Sequence, residues 1–214
     1  MITDEQKRQI KLSNDTIIKE KGYRVNDWLP ILDTPAPRTI GEIKSRMAVM
    51  NALINIAFEA PVHIIKEWIE AHHLTQHLSS SEQQILAKDN DQLERGELIN
   101  LSWYLEALWA FMWLTEMIDE LEAEEHVGDN LASMMPNIEQ DEDNKKLESL
   151  QNLRGETEVY TMLDYYYRLH WYCVDERLNG REPKLNEGQI YERRKALEWA
   201  FERSNDWDNV EMGT

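Results

Sequence analysis

A chain of 214 residues, 42% hydrophobic and carrying eight tryptophans, has enough apolar surface for one sizeable core; one folded domain is expected and a disordered chain is excluded. Its formal charge of -18, from 41 acids against 23 bases, would repel phosphates, which argues against sequence-independent binding to nucleic acid or to an anionic membrane and favours a basic protein partner. A single cysteine, Cys173, excludes an intramolecular disulfide framework and any four-cysteine metal site.

The opening residues place no apolar run behind their charges, so neither a secretory signal nor a membrane anchor is expected there, and the cytoplasm is the default compartment. Only eight glycines and six prolines interrupt the chain, and apolar residues recur at spacings of three and four almost throughout. The pattern predicts an all-α fold: a single-domain irregular helical bundle over residues 1–214, without internal repeats, around one long tryptophan-rich helix.

In chain order, a first helix covers about 4–20 and stops near Gly22. Residues 24–38 hold Pro30, Pro35 and Pro37 and form an extended arm, pinned by Trp28 and Leu29. Thr39 caps a helix over about 40–58, ended near Pro61, and another follows over about 62–72. Ser79 with Glu82 makes a capping box that opens a further short helix. The longest helix spans about 92–121; its uninterrupted apolar run between Glu106 and Glu116 is about half of what a bilayer requires, so it belongs to a core. Residues 122–146, dense in acids and holding Pro136, predict broken helices and a mobile acidic loop. Helices near 156–179 and 187–203 close the domain before a C-terminal tail at 204–214.

Three C-terminal stretches are distinctive: YRLHWYCVDERLNG at 167–180, YERRKALEWA at 191–200 and DWDNV at 206–210. In this order they resemble the C-terminal signature of the bacterial domain of unknown function 4272 family. RVNDWLPIL at 24–32, IKSRMA at 43–48 and WYLEALWAFMW at 103–113 fall where that family has similar segments. The resemblance covers most of the chain and implies a single bacterial domain; it brings no reaction with it, so function is argued from residues.

On a helix, Leu163, Tyr166, Tyr167, His170, Cys173 and Val174 share one face, with Arg168 nearly opposite beside Asp164 and Asp175. Arg168 is expected to pair with those two aspartates on an outer or half-buried face, with phosphate or carboxylate binding as its sharper alternative. His170 sits in the apolar stripe as a core histidine or as a general acid/base. Glu106 lies mid-stripe in the series Ile99, Trp103, Glu106, Ala110, Trp113 and Met117, where a carboxylate must find a cation or take up a proton. Arg193, Arg194 and Arg46 are its candidate partners. A pair with one of them fixes how helices dock; if Glu106 and His170 instead face an open cavity, they supply acid/base chemistry of a hydrolase kind, with an arginine anchoring an anion.

His73 and His77, with Glu70 nearby, have zinc spacing, but residues 74–79 look like a turn that separates them, so no metal is expected. Cys173 and tryptophans 103, 109, 113, 171 and 199 are expected in the core. No phosphate loop, dinucleotide fingerprint, GxSxG or HExxH occurs, and no cofactor is expected. The function expected first is a protein-interaction or small-ligand-binding module with an acidic surface, adaptor-like or immunity-like; the alternative is the enzyme built on Glu106 and His170. No feature of the sequence specifies an oligomeric state.

Overall fold

The computed structural model describes residues 2–33, 37–203 and 206–213. Residues 34–36 of the proline arm, and 204–205 and 214 of the tail, lie outside the described residues. Among those described there are nine α-helices and no strand: α1 (Asp4–Glu20), α2 (Ile40–Ala57), α3 (Val62–Ala71), α4 (Ser80–Leu86), α5 (Arg95–Leu114), α6 (Leu131–Met134), α7 (Lys145–Glu148), α8 (Glu156–Leu178) and α9 (Glu187–Phe201).

The helices begin where local chemistry offers caps. Thr3 with Gln6, Thr39 with Glu42 and Ser79 with Glu82 form reciprocal capping boxes at α1, α2 and α4. α1 ends at Gly22, whose φ of +81° lets the Tyr23 N–H turn back and donate to Ile18 O at 3.0 Å.

α5 packs between α2 and α9, and α8 packs against α9 and α1. Phe111, Met112, Leu108 and Ala107 are fully buried, so this helix is covered on several sides. Gly188 makes the α5–α9 approach possible, since a Cβ there would sit 2.7 Å from Cη2 of Trp103.

The long helix is shorter than its hydropathy predicts. It stops at Leu114 because Glu116 adopts a φ of +61° and the Met117 N–H closes on Met112 O at 2.9 Å. Arg154 secures this end: its Nε donates to Trp113 O at 2.7 Å, and Nη2 to Ile118 O and Asp119 O at 2.8 and 3.1 Å. At the other end Glu94 is the N-cap and residues 90–92 form a separate 3-10 turn.

Two further expectations change. The arm at 24–33 is held by Leu29, which is buried, and by lysines of α1. Lys11 donates to Asp27 O and Leu29 O at 2.8 and 2.6 Å, and Lys7 donates to Leu32 O at 3.2 Å. Trp28 is 94% exposed and pins nothing. The acidic segment 122–146 is a packed strap rather than a loose loop: Ala123, Leu131, Met135 and Ile138 are buried between short helical turns, while its acids face outward. Buried Trp207 likewise seats the tail against Tyr104, Phe111 and Trp199.

Candidate functional site

Four buried arginines organise the interior, each with a different set of acceptors. Arg193 of α9 meets Glu106 of α5, with Nε and Nη2 at 2.8 and 2.7 Å from Oε2. Its Nη1 also donates to Glu122 O at 2.7 Å and to the Tyr166 hydroxyl at 3.2 Å, and Nη2 to Glu125 O at 2.8 Å. All five guanidinium N–H groups are therefore engaged, and none is left for an anionic ligand. Gln189, one turn earlier, donates to Ala123 O and Glu125 O, so α9 captures the start of the acidic strap through two side chains.

Arg168 is buried, not on an outer face. It grips Asp164 with Nε and Nη2, both at 2.8 Å, and reaches Asp15 of α1 at 3.2 Å; Asn14 adds a bond to Asp164 at 2.9 Å. Asp175, its other expected partner, pairs with Arg181 and Arg24 instead. The reason is the α1–α8 contact: α1 brings a carboxylate and an amide to the arginine side of α8, and burial follows.

Arg46 pairs with Glu82 rather than Glu106, through Nη1 at 3.1 Å and a close Nη2–Oε1 contact. Glu82 is wholly buried and also accepts from the Ser79 N–H and the Tyr104 hydroxyl, both at 2.8 Å. The carboxylate read as a helix cap is thus also a core ion-pair partner.

Arg194 bonds Glu198, at 3.1 Å through both Nε and Nη2, and His170 Nδ1 at 2.7 Å, and its remaining donors take Met212 O and Gly213 O of the tail. Because a guanidinium only donates, Nδ1 of His170 accepts and the ring proton resides on Nε2. Burial, then the charge of Arg194, lowers the His170 pKa to about 4, so the ring is neutral at pH 7.

Glu106 and His170 are not brought together. Each is bonded to a different one of two consecutive arginines, which leave α9 about 100° apart. The acid–base pair that the hydrolase alternative requires is not formed. Cys173 is buried and its thiol is pushed up to about 12 by that burial, so no thiolate nucleophile is available near neutrality. His73 closes α3 with a φ of +57° while His77 lies in a separate 3-10 turn, and no metal-ligating cluster exists among the described residues.

Another titratable residue carries no mark in the sequence. Glu192 of α9 has a buried Oε2 without a hydrogen-bond partner, and its pKa is pushed up to about 7 by burial. Its position one residue before Arg193 gave no periodic signal, because α9 is apolar and charged on nearly every face.

The surface offers a groove of about 430 Å³ between α1, α8 and residues 119–122. Ile17, Trp113, Leu121, Met162 and Tyr165 supply its apolar floor, and Asp119, Glu120, Glu122 and Glu158 its rim. Lys21 crosses one end but is held by Glu122 and Glu124, at 3.3 and 3.0 Å. Residues 119–148 hold eleven acids against two lysines, a net of -9, which is half of the chain's -18. No helix among the described residues is long and apolar enough to cross a membrane.

Compared with known proteins, residues 10–210 match the model of the family described as Domain of unknown function (DUF4272), and the chain belongs to that family. No curated protein and no solved structure matches it.

Proposed function

We propose that this member of the DUF4272 family works in the cytoplasm as a protein-interaction module whose acidic groove takes a basic, amphipathic segment of a partner. The observation that carries this is the pairing, in one depression, of an apolar floor with a rim of four carboxylates. Ile17 on α1 is 41% exposed at the groove, and Asp119 and Glu120 project into solvent beside it. A helix or strand with leucines on one side and lysines on the other would bury its apolar side on Tyr165 and Met162 and place its ammonium groups against the rim. The chain's overall charge adds long-range attraction for such a partner and so raises the rate of encounter.

The test is fluorescence anisotropy with a labelled amphipathic leucine–lysine peptide. Binding is expected at low salt and should weaken about tenfold or more as salt rises towards 0.5 M. Replacing Asp119→Lys together with Glu120→Lys should abolish it. The absence of binding, or binding indifferent to both salt and charge reversal, defeats the proposal.

A further inference from the structure

A separate cavity, of about 480 Å³, lies where the arm, α8, the end of α9 and the tail meet, and it shares no lining residue with the acidic groove. Leu32, Phe201 and Val210 give it apolar surface, and Asp33, Glu198, Glu202 and Glu211 bring four carboxylates. Arg194 is the one cation among the described lining residues, so four acids against one base leave the lining at -3. The Arg194 guanidinium stacks on the Tyr167 ring, 4.7 Å from its centroid. Its N–H groups are all engaged, by Glu198, by His170 and by the carbonyls of Met212 and Gly213.

Two acceptors meet this space without a donor. Both hydrogen bonds that reach Glu198 enter at Oε1, so Oε2 of this carboxylate, whose side chain is 18% exposed, accepts none among the described residues. Tyr167 is 5% exposed, and what remains accessible of it faces the cavity; its hydroxyl makes no hydrogen bond among the described residues. Burial raises the Tyr167 pKa, so the group is an undissociated hydroxyl with a lone pair to offer. Burial also raises the Glu198 pKa; Arg194 lowers it only in part and the charge of Glu202 raises it further, so this carboxylate still gains from a second cation.

Unmatched acceptors in a negative cavity select a cation that carries N–H donors. A metal ion fits less well, since no cluster of three or more ligating groups among the described residues could hold one. An ammonium group brings three rotatable donors and needs no fixed coordination shell. Asp33 and Glu211 are exposed at the opening and pair with no cation among the described residues, whereas Tyr167 lies deep. Carboxylates outside, acceptors inside and apolar side chains in the same cavity match a methylene chain with an ammonium group at each end.

We propose that this cavity binds a linear aliphatic polyamine, one ammonium group donating to the Tyr167 hydroxyl and Glu198 Oε2 and another meeting Asp33 and Glu211 at the mouth. The methylenes between them rest on Leu32, Phe201 and Val210.

The experiment is calorimetric titration of the full chain with putrescine, spermidine and butylamine at physiological ionic strength. One putrescine or spermidine should bind per chain, and butylamine, with a single charge, should bind about fivefold more weakly or less. Tyr167→Phe keeps the ring on Arg194 and removes a hydroxyl without a partner, so the urea midpoint should hold while polyamine affinity falls about tenfold or more. Asp33→Asn with Glu211→Gln should weaken binding about threefold. Asp91→Asn with Glu139→Gln, the same change of charge at exposed positions elsewhere, should leave it intact. Absence of saturable binding, affinity or urea midpoint contrary to expectation in Tyr167→Phe, equal losses from the two charge-matched pairs, or butylamine as tight as putrescine overturns the proposal.

Discussion

The bundle interior at Glu106 and the rim at Asp119 to Glu122 use the same chemical groups to opposite ends. Inside, one carboxylate and one guanidinium meet in low dielectric, and every remaining N–H of Arg193 finds a carbonyl or hydroxyl. At the rim, Lys21 holds Glu122 and Arg154 holds Glu158, but Asp119 and Glu120 meet no cation among the described residues and stand beside an apolar floor. Matched charge is structural, because nothing is left over to recognise a ligand. Unmatched charge of one sign beside exposed apolar surface has recognition still available to it. The contrast separates residues that hold the fold from residues free to bind.

The strongest way to break the comparison is Glu106→Ala. It leaves Arg193 buried without its counterion and should lower stability by about 3–5 kcal/mol, measured by urea denaturation. A loss below about 1 kcal/mol would mean that the interior pair is not the docking element described here.

Acid titration of stability comes next. His170 has a folded pKa of about 4, below its ordinary 6.5, so its contribution is complete above 6.5 and is lost as pH falls towards 4. The loss is about 3 kcal/mol, and His170→Gln should flatten that limb. Glu192 has the opposite sign. Its folded pKa of about 7 lies above the usual 4.5, so its contribution is complete below 4.5 and disappears as pH rises through 7; Glu192→Gln should remove this second slope.

Gly188→Ala should cost about 1–3 kcal/mol in thermal or urea unfolding, as the new methyl meets Trp103 and pushes α5 from α9. The smallest effect belongs to the surface. Trp28→Ser should change stability by no more than about 0.5 kcal/mol, because Lys7, Lys11 and Leu29 hold the arm without it.

Much of the fold was legible because helix starts are written locally. Thr39 with Glu42 and Ser79 with Glu82 are four-residue signals, and the structure places caps at both. The end of α5 was not legible. Apolar residues recur beyond Glu116 at Met117 and Ile118, and the stop depends on a left-handed Glu116 and on Arg154, 41 residues after Trp113, gathering the freed carbonyls. Trp28 misled for a related reason: hydrophobicity states a preference for burial, not whether a surface is there to receive the ring.

The candidate site divides the same way. Periodicity identified Glu106 as a carboxylate that must be neutralised and placed Arg193 among three possible partners. It could not choose between them, since Arg46 found Glu82 and Arg194 found His170 only once α2, α4, α8 and α9 had packed. Neither cavity has a motif, because each is assembled from side chains far apart in the chain.

By itself, the amino-acid sequence determined the all-α class, most helix starts, the family and the need to neutralise charge inside the core. These follow from turn-scale hydrogen bonding and from the 3.6-residue repeat, which act within a few residues. Which cation answers which carboxylate, where the long helix stops and which charges stay unmatched at the surface were decided by tertiary structure. Those outcomes depend on burial and distance, and both exist only after segments separated by dozens of residues have met.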